Sequence, residues 1–436
     1  MVVERRKPIK VEEAITRVME YTEAGSVNHV PIEASYGHFL GEDLVADHHV
    51  PPFDRSPYDG FAIQSVDTNT AASNNPVFIE VIGEIGAGSV FEENVGEMQA
   101  VRIMTGAQIP DTCDAVVMFE SVKEMDSDGK KMIQVKRKFQ AGDNVSFTGE
   151  DTKQGEVLAY KGTYINPGIV ALLATFGYKN VPVGKKPKVG IIATGSELLE
   201  VEAEIQPGKI RNSNAHMIYA QVERAGGEPI YVGQFSDDFE TCFKQVTEAL
   251  QGVDILITTG GVSVGDYDYL PDIYEKLKAN VLFNKVGMRP GSVTTVAEKD
   301  GKVLFGLSGN PSACYVGFEL FTRPIIRTFL HAINPASKKE IAILGADFPK
   351  PNPFDRFVRG HLTYSEGKLV ATPVGLDKSN VVSSLGEANV LIVLPGGSRG
   401  YEAGNEVRVI LLEDQEGTTL DAFVNGGGKK GSLSHG

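Results

Sequence analysis

The sequence predicts a multidomain α/β plus β protein, with a central, largely parallel α/β domain and β-rich, barrel-like domains before and after it. Three observations lead to this prediction. The chain has 436 residues, more than one compact core usually holds, and about three domains are expected for that length. Short apolar runs broken by glycine fill residues 50–180 and 340–413. Over residues 183–332, by contrast, buried strands alternate with helical stretches.

Composition and charge exclude several classes of protein. Hydrophobic residues make up 42% and charged residues 23% of the chain, as in ordinary globular proteins. No apolar run reaches the roughly 18 residues of a membrane span, and the basic start lacks the apolar segment of a signal peptide. The net charge of −15 opposes nonspecific binding to nucleic acid or an anionic membrane. An anionic ligand would therefore need a local group of cations.

The cysteines favour a reducing compartment. Cys113, Cys242 and Cys314 form no CxxC pair, so their spacing indicates neither a zinc site nor a disulfide framework. We therefore expect a cytoplasmic protein. The adjacent His48 and His49 would point to opposite faces of a strand, which does not favour a metal site there.

The N-terminal part begins with a predicted helix within residues 1–27. Its apolar residues recur at helical spacing, and they are Val11, Ala14, Ile15, Val18 and Met19. Beyond residue 50, short β-rich runs such as 77–82, 115–119 and 132–135 alternate with glycine-rich turns. This texture predicts an antiparallel barrel or sandwich.

Alternating strands and helices over residues 183–332 predict βαβ units. The expected strands are 188–193, 229–233, 254–258, 281–286, 293–297 and 303–307, and the expected helices are 214–225, 239–250, 270–277 and 312–330. Four further strands are expected in a C-terminal β domain, at 342–344, 368–372, 390–394 and 406–412. The glycine-rich tail after residue 423 cannot bury a core, so we expect it to be disordered.

Three loops in the α/β region carry the candidate chemistry. They are 193–199 (ATGSELL), 258–269 (TTGGVSVGDYDY) and 306–312 (GLSGNPS). Ligands of parallel α/β sheets bind beyond the carboxyl ends of strands, where backbone N–H groups and helix N-termini favour a phosphate. Glu197, Asp266 and Asp268 would repel that phosphate unless a divalent cation lay between them, so the loops predict Mg²⁺.

Each loop also has a purely structural interpretation. Thr194-Gly-Ser-Glu197 matches a capping box at a helix start. Asp266 and Asp268 are also compatible with first-turn acids of a helix, and Gly309-Asn-Pro with a simple turn. The argument for a ligand site is that all three loops are predicted at one edge of one sheet.

Two further segments are candidates for a site. Lys285 and Arg289 precede a Pro-Gly turn and form a cation pair suited to an oxyanion, although a solvated strand end explains them equally well. Residues 51–62 (PPFDRSPYDGFA) form a stiff, proline-rich loop that ends in Asp59-Gly60. Asp59 is either a presented carboxylate or part of a tight Asp-Gly turn.

These segments, in this order, resemble the molybdopterin molybdenumtransferase family, which includes the C-terminal domain of gephyrin. The resemblance covers about residues 7–412 and is carried by PPFDRSPYDGFA, RIMTGAQIP, DAVVMFE, VGIIATGSEL, IRNSN, DILITTGGVSVGDYDY, KVGMRPG and LSGNPSA. It implies an enzyme that takes molybdopterin adenylate and molybdate. In a Mg²⁺-dependent step the enzyme hydrolyses the adenylyl linkage, then inserts molybdenum at the dithiolene and releases AMP.

The resemblance also implies partners and domain boundaries. It implies an elongated homodimer, with the active site between the α/β domain and the partner subunit, and transient contact with the molybdopterin adenylyltransferase. The expected domains are a linking domain (1–50 and 145–182), an inserted β-rich domain (51–144), a molybdopterin-binding α/β domain (183–332), a C-terminal barrel-like domain (336–415) and a disordered tail (423–436).

Site residues follow from the resemblance motif by motif. It implies catalytic roles for Asp59, Thr105, Glu197, Asp237 and Asp268, and metal binding by Glu197, Asp237 and Asp268. It implies substrate binding by Gly195, Ser196, Gly260, Gly261, Ser263, Gly265, Lys285, Arg289, Ser308, Asn310, Pro311, Arg359 and Ser383. Arg356 and Ser384 lie in segments that resemble the last domain's contribution.

One departure from the family pattern keeps alternatives open. Ser292 stands where the family often has a lysine after Pro-Gly. The alternatives are a non-catalytic molybdopterin-binding carrier or sensor, or a tungsten-preferring paralogue. A nucleotide hydrolase that shares only the α/β domain would leave residues 51–62 and the C-terminal β domain unexplained. The retained acids favour an active enzyme.

Overall fold

The computed structural model describes residues 7–235, 238–260, 269–351 and 353–412. No helix within these ranges is long and apolar enough to cross a membrane. The predicted tail at 423–436 lies outside the described residues.

The first part of the chain forms two small antiparallel strand pairs around a six-stranded sheet. Its elements are helix α1 (Val11–Met19), strands β1 (Val27–Pro31), β2 (Leu44–Val45), β3 (Gly60–Ile63), β4 (Val77–Ile85), β5 (Gln99–Ile103), β6 (Ala115–Met118), β7 (Val122–Ser127), β8 (Lys130–Val135) and β9 (Val157–Ala159), helix α2 (Pro167–Thr175) and strand β10 (Asn180–Gly184). Short 3₁₀ turns lie at Ile32–Ala34, Ser65–Thr68 and Phe119–Ser121. Strand β1 pairs with β10, and β2 with β9.

The six-stranded sheet has the order β6-β3-β5-β4-β8-β7. The sequence predicts antiparallel strands here, but the sheet is not wholly antiparallel. Strands β4 and β5 run parallel. The connection between them, residues 86–98, is long enough to return the chain to the same end of the sheet before β5 begins. Buried apolar side chains lie on both faces of the sheet. Phe61 and Ile63 belong to one cluster and Ala62 to another, because successive strand residues alternate between the faces.

Residues 188–329 form the central α/β unit. Its elements are β11 (Lys188–Thr194), β12 (Leu198–Leu199), β13 (Ile210–Arg211), α3 (Ser213–Ala225), β14 (Glu228–Phe235), α4 (Phe239–Gly252), β15 (Ile255–Thr259), α5 (Leu270–Leu277), β16 (Asn280–Phe283), β17 (Met288–Arg289), β18 (Thr295–Lys299), β19 (Lys302–Leu307), α6 (Pro311–Gly317) and α7 (Arg323–Phe329). The main sheet has the order β14-β11-β15-β19-β18-β16. The first four strands are mutually parallel, and β18 and β16 add an antiparallel edge.

The predicted final helix, 312–330, is three segments. A π-helical stretch, Phe318–Thr322, separates α6 from α7. Pro324 lies in the first turn of α7, where its missing N–H is tolerated, but it could not donate within one continuous α-helix. The helical pattern of the sequence therefore predicts where this helical region begins and ends, but it does not predict the π-helical interruption within it.

The C-terminal strands close into a barrel. The elements are β20 (Lys339–Leu344), β21 (Asp355–Ser365), β22 (Lys368–Pro373), α8 (Ser383–Glu387), β23 (Val390–Leu394) and β24 (Glu406–Leu411). The pairings run β21-β22-β20-β24-β23, and β23 pairs again with β21. The sequence missed β21, whose charged residues, among them Arg356 and Arg359, obscure the strand pattern. Strand β17 of the α/β unit pairs parallel with β21.

One hydrophobic core links α1, the central sheet and the C-terminal barrel. Val11, Ala14 and Val18 of α1 lie in the same buried cluster as Val189 of β11 and Ile410 of β24. The side chain of Arg17 on α1 donates to the Leu282 carbonyl over 2.8 Å. Helix α1 therefore packs on the α/β unit, while the predicted domain boundaries as a whole remain a prediction.

A buried ion pair connects α3 with the π-helical stretch. Glu319, whose side chain is 1% exposed, pairs with Arg224 and lies 3.9 Å from Arg323 Nε. Gln221 Nε2 donates to Glu319 Oε1 over 2.6 Å, and Arg224 Nη1 donates to the Leu412 carbonyl over 2.8 Å. The carboxylate thus holds together the groups that join α3 to the last described residues of the barrel.

We predict that Glu319→Ala lowers the free energy of unfolding by about 3–5 kcal/mol, because it leaves the buried Arg323 and the partly buried Arg224 without their carboxylate. Chemical denaturation followed by circular dichroism measures the effect. Glu248→Ala is the matched control. Glu248 is 63% exposed and lies 3.8 Å from Lys244, so a change below about 0.5 kcal/mol is expected. Equal midpoints for the two variants would show that the buried pair does not stabilise the fold.

Candidate functional site

A cleft of about 880 Å³ opens at the carboxyl ends of β11, β15 and β19. Described residues from each of the three segments predicted to carry the chemistry line it. The cleft is lined by Thr194–Leu198, Ile210–Asn214, Phe235, Cys242, Val246, Thr258–Gly260, Tyr269, Leu270, Ile273, Val293 and Ser308–Pro311. A volume of this size accommodates a ligand as large as a nucleotide conjugate.

The loop after β11 presents Glu197 to the cleft. The capping-box interpretation is wrong, because no helix begins at this loop: residues 198–199 form β12, and α3 begins only at Ser213. The Glu197 carboxylate is exposed and accepts no hydrogen bond from the described residues. A Cβ at position 195 would lie 2.5 Å from Glu197 Oε2. Gly195, with φ 141°, is thus the residue type that allows the carboxylate to fold over the chain.

Side chains hold the backbone of this loop from outside the cleft. Gln234, near the end of β14, donates through Nε2 to the carbonyls of Gly195 and Leu198 over 2.9 and 3.2 Å. Lys209 Nζ donates to the Ser196 carbonyl over 2.5 Å. The Ile210 N–H donates to the Glu197 carbonyl over 2.9 Å. All four carbonyls of residues 195–198 are therefore occupied, which fixes the backbone from which the Glu197 side chain projects.

The loop after β19 packs directly on the loop after β15. A Cβ at Gly260, whose φ is 90°, would lie 2.7 Å from the Thr194 carbonyl oxygen, and one at Gly309 would lie 3.5 Å from the Gly260 Cα. Asn214 Nδ2 donates to the Gly309 carbonyl over 2.8 Å. These close approaches bring Ser308, Asn310 and Pro311 to the cleft wall. The Asn310 N–H donates to Ser308 Oγ over 3.2 Å.

Several predicted site residues lie outside the described residues. They are Asp237, Gly261, Ser263, Gly265, Asp266 and Asp268. Helix α5 begins at Leu270, and the acid of its first turn is Asp272. The interpretation of Asp266 and Asp268 as first-turn acids falls on residues outside the described ranges and stays a prediction.

Asp59 and Thr105 lie together on the inserted sheet and not at the cleft. Asp59 precedes β3 and Thr105 follows β5, and these strands pair with Gly60 opposite Ile103. Asp59 Oδ1 accepts from both the Thr105 N–H and the Thr105 hydroxyl, each over 2.7 Å. The carboxylate thus bonds across to a neighbouring segment.

Hydrogen bonds hold Asp59 in its ionised form. The Thr105 backbone N–H, and then its hydroxyl, keep the pKa of the Asp59 carboxyl below its usual value, and the Arg102 charge lowers this pKa further. The guanidinium of Arg102 itself stacks 4.2 Å from the Phe119 ring centroid. Asp59 is therefore a fixed, exposed carboxylate at neutral pH.

Lys285 and Arg289 lie beside the junction of the α/β unit and the barrel. The Lys285 carbonyl accepts from the Ile9 N–H over 3.2 Å, and Arg289 pairs in register with Arg356 of β21. Lys285 is half-buried and Arg289 is exposed. Neither side chain lines the cleft described above.

Arg359 is buried in the barrel and ordered by its own domain. Its side chain is 1% exposed and lies 3.5 Å from Asp377 Oδ1. It donates to the Leu376 carbonyl over 2.8 Å and to the hydroxyl of Ser384 over 3.2 Å. Ser383, the first residue of α8, is exposed. The loop held by Arg359 meets the third cleft loop, because Ser312 Oγ donates to the Val381 carbonyl over 2.6 Å.

Comparison with known proteins identifies the family. Residues 9–177 match the MoeA N-terminal region (domain I and II), residues 190–328 a probable molybdopterin binding domain, and residues 342–412 the MoeA C-terminal region (domain IV). A molybdopterin molybdenumtransferase of Bacillus subtilis (strain 168) is 59% identical over 416 residues, which are 95% of this chain and 97% of that protein. The chain belongs to the molybdopterin molybdenumtransferase family.

Other members of the molybdopterin molybdenumtransferase family and solved structures agree in length and fold. The molybdopterin molybdenumtransferase of Staphylococcus aureus (strain Mu50) is 51% identical over 95% of this chain and 98% of its own. The molybdopterin biosynthesis MoeA protein of Pyrococcus horikoshii OT3 is 34% identical and superimposes with a TM-score of 0.79, covering 93% of this chain and 100% of that one. The predicted fold class is therefore confirmed.

Sequence reasoning missed several residues of the cleft. Arg211, Asn212 and Asn214 line it, although the segment IRNSN had been recognised only as part of the resemblance. The Asn212 side chain caps α3 by accepting from the Ala215 N–H over 3.2 Å. An asparagine just before a predicted helix is a signal for such a cap. Nothing in the sequence pointed to Gln234, which acts across two strands.

We predict that Gln234→Leu loosens the loop after β11 at nearly constant side-chain volume. Two carbonyls lose their donor, and each hydrogen bond contributes about 0.5–1.5 kcal/mol. Amide hydrogen exchange in a peptide spanning residues 194–200 should therefore accelerate about tenfold or more. The control is Gln251→Leu at an exposed position of α4. Unchanged exchange in Gln234→Leu would mean that Lys209 and Ile210 suffice to hold the loop.

We predict that Thr105→Val raises the pKa of Asp59 part of the way to its ordinary value. The hydroxyl bond is lost while the Thr105 N–H bond, the larger cause of the lowered pKa, remains. In the wild type, the stabilisation from Asp59 is present above the unfolded-state pKa and is lost as pH falls through the lower folded-state pKa. In Thr105→Val the stabilisation from Asp59 should be smaller, and its loss should be complete at a higher pH, because the folded-state pKa lies closer to the unfolded-state pKa. Carboxyl NMR titration measures the shift, and an unchanged Asp59 titration would contradict the assignment.

Proposed function

We propose that this protein inserts molybdenum from molybdate into adenylated molybdopterin, yielding the molybdenum cofactor and AMP. The observation that carries the proposal is the cleft at the carboxyl ends of β11, β15 and β19, in a chain that matches molybdopterin molybdenumtransferases over nearly its whole length. Sheet edges of this kind bind phosphate-bearing ligands. An adenylated pterin carries its phosphates between two aromatic ends, and the volume of the cleft, about 880 Å³, is large enough for a ligand of that size.

The cleft wall offers oxygen and nitrogen groups at close spacing. Thr194, Thr259 and Ser308 contribute hydroxyl groups. Gly195 and Gly260 have no side chain, so a ligand can approach the backbone there. Apolar walls come from Phe235, Leu270 and Val293. In our proposal these hydroxyl groups and backbone N–H groups bind the phosphates. The apolar walls exclude water from the adenylyl linkage that is to be broken.

We infer that Mg²⁺ binds at Glu197 with Asp237 and Asp268. The donor chemistry fits, because Glu197 presents a carboxylate without a described hydrogen-bond partner, and carboxylate oxygens are the ligands that Mg²⁺ prefers. Within the described residues no group of three acidic, histidine or cysteine side chains forms a metal site, so the proposal needs the other two aspartates. Bound Mg²⁺ would neutralise charge on the phosphate that leaves with adenosine.

The remaining predicted residues are assigned to the ends of the substrate. We propose that Lys285 and Arg289 hold molybdate or the pterin phosphate, since both are cations beside the junction of the α/β unit and the barrel. Ser383 presents an exposed hydroxyl from the barrel. Arg359, which is committed to Leu376 and Ser384, would act by keeping that loop in place.

In our proposal a second subunit supplies Asp59 and Thr105 to the cleft. Asp59 and Thr105 do not line the cleft of their own chain, so we propose a homodimer in which they complete the partner's site. The chain's three cysteines, all of them described, are buried and form no disulfide, which fits our inference of a cytoplasmic enzyme. There it would receive its substrate by transient contact with a molybdopterin adenylyltransferase.

We predict that purified protein with Mg²⁺ releases AMP from molybdopterin adenylate in a molybdate-dependent manner. Chromatographic AMP measurement, with molybdate, tungstate or no oxyanion, tests it. Faster release with tungstate would favour a tungsten-preferring paralogue. Tight binding without release would favour a carrier or sensor, and it would direct attention to Ser292, which replaces the family's frequent lysine.

Substitutions in the same assay separate catalysis from folding. Glu197→Gln and Asp59→Asn remove a charge at constant volume and should reduce AMP release by roughly two or more orders of magnitude. Glu202→Gln, at an exposed position a few residues away, is the control and should retain the wild-type rate. Wild-type rates in both test variants would remove these carboxylates from the mechanism.

A further inference from the structure

The described wall of the cleft contains one basic side chain. Among the lining residues that the structure describes, Arg211 alone carries a positive charge, and Glu197 alone carries a negative one. The protein as a whole has a net charge of −15. A polyanionic substrate therefore meets an unfavourable field everywhere except near a local cation, which makes the position of Arg211 informative.

Arg211 is brought to the cleft by a small two-stranded sheet. Strands β12 and β13 pair in parallel, with Leu199 opposite Arg211. The Asn212 N–H donates to the Leu199 carbonyl over 2.8 Å, and the Ile210 N–H to the Glu197 carbonyl over 2.9 Å. Residues 199–210 thus return the chain onto the loop that carries Glu197. The pairing of β12 with β13 therefore positions the backbone of both Glu197 and Arg211.

One backbone carbonyl orients the Arg211 guanidinium, and some of its N–H groups have no described acceptor. Arg211 donates from Nε and Nη2 to one acceptor, the Ala203 carbonyl, over 3.2 and 3.1 Å. A guanidinium has five N–H groups, so this contact leaves the Nη1 edge and one Nη2 hydrogen for another acceptor. Arg211 is exposed and forms no ion pair with a carboxylate in the described part of the chain. The neighbouring Lys209, by contrast, is committed to the Ser196 carbonyl.

We propose that Arg211 is the residue that recognises the phosphate groups of the substrate in this cleft. The inference rests on the proposed function, since it takes the adenylated pterin as the substrate. Anchoring through Ala203 reduces the side-chain entropy lost on binding, and the free edge of the fork matches two phosphate oxygens. Arg211 acts on binding more than on the chemical step, so its removal should change KM more than kcat.

The test compares Arg211→Met, Arg211→Lys and wild-type protein. Arg211→Met should raise KM for molybdopterin adenylate about tenfold or more, with kcat within about twofold. Isothermal titration should show AMP binding weakened about tenfold and adenosine binding unchanged, because only AMP carries the phosphate. The dependence of AMP affinity on salt should also be shallower in Arg211→Met. Arg211→Lys should recover part of the affinity, since it keeps the charge without the fork.

A control variant and the separate measurement of AMP binding and AMP release distinguish failure of this inference from failure of the proposed function. Arg408→Met removes an exposed arginine on β24 of the barrel and should leave KM and AMP binding unchanged. A raised KM with unchanged AMP affinity would still support phosphate recognition, on the pterin side. Unchanged KM and AMP affinity in Arg211→Met would overturn it. If wild-type protein released no AMP but bound AMP through Arg211, the proposed function would fail and this inference would stand.

Discussion

The site depends on the register of three parallel strands. Ala193 of β11 lies opposite Thr259 of β15, and Thr259 lies opposite Leu307 of β19, so the three strands end at one level. Their loops must then leave the sheet side by side. The Thr194 hydroxyl donates to the Thr259 carbonyl over 3.2 Å, and the Gly260 N–H to the Leu307 carbonyl over 2.9 Å. A one-residue slip of any strand would separate the loops and turn buried side chains to the opposite face.

A second constraint couples the cleft to the C-terminal barrel. Strand β17 extends the barrel beside β21, and the Ser312 N–H donates to the Ser379 carbonyl over 3.0 Å. These contacts lie immediately after the third cleft loop. Buried Glu319 and its cations tie the same helical segment to α3, whose first turn forms another cleft wall. A displacement of the barrel would therefore also displace Ser308 and Asn214 in the cleft wall.

The sequence predicted those parts of the molecule that depend on local pattern. Helix α5 and strand β23 were predicted at the bounds observed, because apolar periodicity and flanking turn residues act within a few positions. The parallel pairing of β4 with β5 was not predicted, because distant partners decide it. The break within the 312–330 helix and strand β21 were also missed, because Pro324 interrupts an otherwise helical pattern and the buried Arg356 and Arg359 obscure a strand pattern. The same distinction holds in the cleft. The TGSEL and LSGNP loops were recognisable by their glycines, whereas Gln234 reaches the first loop from another strand and left no local signal.

Arg359 shows how the structure changes the interpretation of a residue that sequence resemblance assigns to substrate. Burial lowers the pKa of its guanidinium, while the Asp377 carboxylate opposes that effect. Arg356 also pairs with Asp377, so one carboxylate holds two buried arginines within the barrel. Since buried charges are stable only when paired and hydrogen-bonded, these groups fix the segment from Leu376 to Ser384. That segment touches Ser312 behind the cleft. An arginine placed in this way acts on the site through the backbone it orders, and the exposed Arg211 and Arg289 remain available to meet an anion directly.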